Sequence, residues 1–220
     1  MISTSKYDDI FVVTSVLGYT SKPLSYSSAR SLYAPEERAA QTLNTLLSIR
    51  KHHSKKCKII VAELGLDKKI TVDVLGGSVD SIIYLGNNLL VRWACDSKYK
   101  GLGEAVGLLT ASRYLKNKGA FYYKVSGRYC LTDKYNIMSW DRARFNFKGY
   151  NADISTRLYG FPDKLFSSWQ KALFKAIPQL MLGNQIETAL PKYLPRENIN
   201  FVSSLGIEGR IAPDGCYVIE

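Results

Sequence analysis

Residues 101–129 read GLGEAVGLLTASRYLKNKGAFYYKVSGRY, and the change of character halfway along this stretch decides the fold. Gly101 to Leu115, with Leu108, Leu109 and Leu115, reads as a helix. Ala120 to Val125 (AFYYKV) is aromatic and apolar, reads as a strand, and breaks at Ser126-Gly127. The same alternation runs back toward the N-terminus. Val79 to Leu85 (VDSIIYL) is a strand bounded by Gly76-Gly77 and Gly86-Asn87, and Cys57 to Leu64 (CKIIVAEL) is another. Before it a helix opens at Pro35 with Glu36 and Glu37 in its first turn, where a proline fits and acids complement the helix dipole. Leu43, Leu46, Leu47 and Ile49 are its expected apolar stripe. Asp9 to Leu17 is the first buried strand, closed by Gly18 and followed by a polar loop to Tyr33. Strands and helices in this order predict a mainly parallel, three-layer α/β sandwich.

Beyond residue 129 the pattern is less regular. Asp153 to Tyr159 is expected as a strand, Lys164 to Ile177 and Gly183 to Leu190 as helices, and Ile199 to Val202 as extended chain. A Pro213-Asp214-Gly215 turn leads to a terminal strand, Cys216 to Ile219. Without a repeat or a linker, residues 1–220 read as a single domain. Cys57, Cys95, Cys130 and Cys216 form no CxxC pair, and His52 and His53 are the only histidines, so the cysteines read as reduced thiols rather than zinc ligands. The opening MISTSKYDDIFVVTSVLG has too short an apolar run for a signal peptide, and no segment reaches the length of a membrane span. The expected location is cytoplasmic.

The formal net charge of +11 favours an anionic partner: a nucleic acid, an anionic membrane face or a phosphorylated small molecule. The densest run, Arg50 to Lys56, reads as a solvated helix end, with membrane contact as the alternative. No P-loop, dinucleotide fingerprint, GxSxG or HExxH occurs, and two adjacent histidines beside lysines leave acid–base chemistry to carboxylates or tyrosines. Open α/β sheets bind ligands beyond the carboxyl ends of their strands. There the sequence supplies Thr14 and Ser15, then Arg30 in the following loop, Glu63, then Lys98, Lys100 and Glu104, and then Lys124, Ser126, Gly127, Arg128 and Tyr129. Arginine, lysine and hydroxyls gathered at one edge suit a sugar diphosphate. A helix start flanked by Lys98 and Lys100 adds free N–H groups and a favourable dipole.

The order of these elements, with KGLGE (Lys100 to Glu104) and KVSGRY (Lys124 to Tyr129) as its specific parts, resembles compact bacterial polysaccharide-assembly glycosyltransferases. Among them it is similar to the galactofuranosyltransferases of O-antigen and capsule synthesis. The resemblance implies a GT-A-like, Rossmann-like fold and a nucleotide-sugar donor, such as a UDP-sugar. It also implies a glycan or lipid-linked glycan acceptor. Residues 1–130 would form the nucleotide-sugar half and 131–220 the acceptor half. Most such enzymes hold a divalent metal on an Asp-x-Asp, and no Asp-x-Asp occurs in this sequence. Lys124 to Tyr129 stand in the expected place, and fixed cations can stabilise a diphosphate leaving group as a metal does. No metal and no cofactor is therefore expected.

An inverting transfer needs a carboxylate to deprotonate the acceptor, and Glu187 is the first candidate, with Asp153 next. Glu63 suits a contact to the nucleoside. The rival reading is a non-enzymatic α/β module that binds nucleic acid or glycan. Against nucleic acid, no RNP, KH, zinc-finger or helix-turn-helix pattern is present and no single helix is lined with basic residues. A lipid-linked acceptor would place the protein peripherally at the inner membrane face, where anionic lipids attract basic surfaces.

Overall fold

A computed structural model describes residues 7–53, 55–150 and 153–220. The first six residues of the opening segment MISTSKYDDIFVVTSVLG, and Ser54 of the basic run, lie outside the described residues. The first half alternates as the sequence predicts. Strand β1 (Tyr7–Ser15) leads to helix α1 (Pro35–His52), β2 (Cys57–Glu63), α2 (Lys68–Leu75) and β3 (Ser81–Tyr84). Then come α3 (Leu89–Cys95), α4 (Lys100–Ala111) and β4 (Gly119–Ser126). Helices α2 and α3 were not expected. Each has a local start signal, since Asp67 accepts the Ile70 N–H at 2.8 Å and Asn88 accepts the Val91 N–H at 3.1 Å.

The chain continues through short strands β5 (Tyr129–Leu131), β6 (Phe145–Phe147), β7 (Gly149–Tyr150), β8 (Asp153–Ile154) and β9 (Leu158–Pro162). It ends with α5 (Phe166–Met181), α6 (Ile186–Ala189), β10 (Ile199–Phe201), β11 (Ile207–Arg210) and β12 (Tyr217–Ile219). The seven-stranded central sheet has the order β10-β6-β9-β4-β1-β2-β3. Strands β3, β2, β1 and β4 are mutually parallel; β9 runs antiparallel to β4 and to β6. The sandwich is thus mainly parallel, with β9 as the one antiparallel strand of this sheet among the described residues, set between β4 and the parallel pair β6–β10.

Period-two alternation explains the layers. Ile10, Val12, Ile60 and Ala62 point to one face and pack with Leu102, Ala105, Val106 and Leu108 of α4 and Trp169 and Leu173 of α5. Phe11, Val13, Ile59 and Val61 point to the other and pack with Ala39, Leu46 and Ile49 of α1. Both faces are buried, as a parallel sheet requires. A three-stranded sheet of order β12-β11-β5 lies on the α1 side.

Several expectations need correction. Leu47 is 53% exposed, because the stripe of α1 that meets the sheet runs Ala39, Thr42, Leu46, Ile49 and carries Arg38 and Thr45 with it. The buried threonines are satisfied by bonding back to Arg38 O and Gln41 O. The expected strand Asp153–Tyr159 divides in two. Between the halves the Ser155 hydroxyl donates to Glu220, the Thr156 hydroxyl donates to Glu187 and Thr156 O accepts from Lys124, while the Ser155 N–H still reaches Lys148 O. Helix α5 runs on past Ile177 to Met181 with Pro178 in its last turns, and Gly183, at φ 92°, stops it.

Candidate functional site

The parallel strands place a crevice in a definite position. From β1 the sheet extends to β2 on one side and to β4 on the other, so the loops after β1 and β4 diverge at their carboxyl ends. Thr14 of β1 and Ser126 of β4 are register partners there, and both line a cleft of about 860 Å³, its open mouth included. Helix α1 brings Arg38 to this cleft; the start of α4 brings Lys100, Gly103 and Glu104. The turn after β4 brings Arg128. That turn sits close because of Gly127, where a Cβ would come within 2.9 Å of Thr42 Oγ1. Gly127 N–H donates to Thr14 O and Gly127 O accepts the Thr42 hydroxyl, which pins Arg128 between β1 and α1.

Five cations face the cleft, and they divide by their partners. Arg30 donates to the carbonyls of Lys22, Cys95 and Ser97, so it ties its loop to the α3–α4 turn. Arg92 donates to Leu64 O and pairs with Asp96 at 3.7 Å. Arg38, Lys100 and Arg128 differ. Arg38, almost fully buried, has one side-chain bond, to Gln41 Oε1 at 3.2 Å. Arg128 stacks its guanidinium on Tyr129 at 5.6 Å and leaves its Nη1 buried without a hydrogen-bond partner. Burial and then the Arg128 charge lower Arg38 to about 9 and Lys100 to about 7. These three cations disfavour one another's charge; Glu63 offsets Arg38 and Glu104 and Glu187 offset Lys100 only in part. Among the described residues none of the three makes an ion pair, so together they form a site for an anion.

Of the residues read from the sequence, Thr14, Arg30, Lys100, Glu104, Ser126 and Arg128 line the cleft. Others lie beneath it. Lys124 is 1% exposed and donates to Glu104, to Ser126 Oγ at 2.9 Å and to Thr156 O at 2.7 Å. It therefore positions Glu104 and Ser126 rather than reaching a ligand. Ser15 bonds Thr42 inside the core. Glu63 accepts the N–H groups of Leu17 (2.7 Å) and Gly65 (2.6 Å) and so joins the loops after β1 and β2; burial pushes it up to about 7. Tyr129 is buried under Arg128, its hydroxyl accepting from Arg157 Nε. Lys98 is exposed beside the cleft, over the ring of Tyr99.

Glu187 is half-buried, accepts the Thr156 hydroxyl at 2.9 Å, and its charge acts on both Lys100 and Tyr26, which sets it near Lys100 but outside the residues that line the cleft. Asp153 is held by the Thr188 hydroxyl at 2.8 Å. Sequence reading missed Arg38, Arg92, Asp96 and Tyr19. For Arg38 a signal existed: it adjoins Ala39 and precedes Thr42 by four, on the face of α1 that turns inward.

No protein-family model matches the chain, and no curated protein sequence does. Solved structures do. The galactosyltransferase LgtC, in complex with donor and acceptor sugar analogs, is similar over 89% of this chain and 73% of its own, with 11% sequence identity and a TM-score of 0.51. An active-site mutant of LgtC matches over 89% and 72%, with 10% identity and a TM-score of 0.49. At such identity the likeness speaks for the fold alone. The chain has a GT-A-like, Rossmann-type fold in a single domain.

Proposed function

We propose that the protein is a glycosyltransferase that moves a sugar from a nucleotide-sugar, a UDP-sugar being the first choice, to a glycan acceptor. The observation that carries this reading is the convergence of Arg38, Lys100 and Arg128 at the switch point of a GT-A-like sheet. Glycosyl transfer breaks the bond between the anomeric carbon and the diphosphate, which leaves with an added negative charge. Arginine, which can bond bidentately, and the half-buried Lys100 would receive that charge in the cleft.

Metal dependence is the main departure from the fold's usual chemistry. A divalent ion needs free carboxylates, and the cleft's two are engaged: Glu104 by Lys124, and Asp96 by Arg92 and the Thr20 hydroxyl. These residues do not fit a metal, and we assign its role to the fixed cations. The same accounting favours Glu187 as the base that takes the acceptor proton. It lies near Lys100 and is hydrogen-bonded by the Thr156 hydroxyl rather than by a cation. The new bond forms from the deprotonated acceptor oxygen to the anomeric carbon.

Calorimetry with UDP and UDP-sugars, with and without EDTA, tests this on wild type and Arg128→Ala. Micromolar binding that survives EDTA and collapses in the variant is expected. Absence of nucleotide binding in every buffer sinks the donor site and returns the protein to the class of non-enzymatic binding modules.

A further inference from the structure

We propose that the outward face of helices α3 and α5 docks on an anionic lipid bilayer. Helix α3 exposes Leu89 (87%), Leu90 and Trp93 (50%), and α5 exposes Phe174, Met181 and Leu182 (81%). Exposed apolar surface on this scale marks an interaction face rather than ordinary solvent contact. On α5 and the residue that follows it, positions 171, 174, 175, 178, 181 and 182 form one exposed stripe, and two of the six are Lys171 and Lys175. The opposite stripe, Trp169, Ala172, Leu173, Ala176 and Leu180, is buried in the core.

The chemistry of this face selects its occupant. Neither helix contains an aspartate or glutamate, so neither offers its own lysines an acid. Phenylalanine, leucine and methionine can enter the acyl boundary while lysine stems lie along it and hold their ammonium groups at the phosphate level. Tryptophan favours that same depth. A net charge of +11 adds long-range attraction to an anionic leaflet. A two-fold dimer through this face would bring the same basic stripe from both copies together, with lysine facing lysine. No helix among the described residues is long and apolar enough to cross a membrane, so the contact lies in the interface.

The carboxyl ends of both helices lie near the cleft. Cys95, the last residue of α3, packs on Gly103; Leu180 of α5 packs on Gly101, and Gly183 packs on the ring of Tyr99. Both helices therefore end against the first turn of α4, where Lys100, Gly103 and Glu104 line the cleft. Exposed Lys98 stands at the same place. A bilayer on this face lies next to the cleft mouth, which would let a membrane-borne acceptor reach the donor. That last consequence rests on the transferase reading; the docking does not.

Flotation with phosphatidylcholine vesicles, with and without phosphatidylglycerol, tests the surface. The full chain is expected to bind only the anionic vesicles, less so as salt rises. Binding should shift tryptophan emission to the blue through Trp93, since Trp140 and Trp169 are already buried. Two exposed-site double variants, Lys171→Glu with Lys175→Glu and Phe174→Ser with Leu182→Ser, should each weaken vesicle binding roughly tenfold and leave UDP binding unchanged. Failure of the wild type to float, or undiminished flotation of the charge-reversed variant, overturns the proposal. So does vesicle-free self-association lost in the same variants, which would assign the face to a second copy. Flotation without any UDP binding would keep the docking surface and sink the transferase.

Discussion

The two ends of strand β1 carry two clusters of buried charge that are built on opposite principles. At its start, Asp9 is fully buried and its charge is answered from two sides: Oδ2 is hydrogen-bonded to His53 Nε2 at 2.9 Å, and Oδ1 lies at ion-pair distance, 2.6 Å, from Arg142 Nη1. His53 reaches Tyr135 with its other nitrogen, and Arg142 lies over Phe121. Burial alone would raise the Asp9 carboxyl, but the bonds from His53 and Arg142 outweigh it and the net shift is downward. At the other end, Arg38, Lys100 and Arg128 line the cleft with Thr14, and among the described residues none of the three is closed into an ion pair by the nearby Glu63, Glu104 or Glu187. Charge completed within the chain holds a fold together; charge left in excess is held for something that arrives.

The largest effect expected separates the two clusters. Asp9→Ala leaves the buried His53 ring and the Arg142 guanidinium without their acceptor and should cost about 3–5 kcal/mol in denaturant unfolding. UDP affinity per folded molecule should stay the same. Loss of affinity in a variant still folded would break the comparison.

Next in size, Arg128→Ala should weaken UDP binding by about 3 kcal/mol, roughly a hundredfold, through lost charged hydrogen bonds. Its thermal midpoint should hold or rise, because a desolvated and unmatched cation has been removed. A sharp fall in the midpoint would mean that Arg128 belongs to the structure as Asp9 does.

A smaller effect tests Lys100. Its lowered value of about 7, against 10.5 for the free side chain, leaves it neutral in the folded protein above pH 7 and charged in the unfolded chain. Between those values the unfolded state binds the extra proton, so this residue makes stability rise as pH increases from 7 toward 10.5. Anion binding draws the proton back. UDP affinity should fall as pH rises above 7, by at most about tenfold per unit, with proton uptake seen in buffers of different ionisation heat. Lys100→Met should flatten both curves. Equal proton uptake in wild type and variant would assign the titration elsewhere.

The smallest expected effect is none: EDTA should change UDP affinity less than about twofold, while a chelator-sensitive site would lose far more. A large loss that Mn²⁺ restores would show that Glu104 or Asp96 leaves its cation to bind metal.

Much of the frame was legible from local pattern. Strands β1, β2 and β4 announce themselves as short apolar, β-rich runs ending in glycine or serine, and α1 opens on Pro35 with two acids. These signals act between neighbours in the chain, so the alternation, and with it the crevice beyond the strand ends, follows from the sequence. Helices α2 and α3 were missed because they are short, of eight and seven residues, and their caps Asp67 and Asn88 lie in stretches that otherwise read as loop.

Sequence alone determined the α/β alternation, the basic character and the grouping of Arg128 and Lys100 at one edge of the sheet. Only the tertiary structure decided which of those charges are free. Lys124 and Arg128 are four residues apart and both carry a positive charge. Lys124 is neutralised by Glu104, twenty residues away on another element, while Arg128 is brought by a glycine turn to face Arg38 and Lys100. Whether a cation is matched depends on what folding sets beside it, and that proximity is a property of the packed chain rather than of any stretch of it.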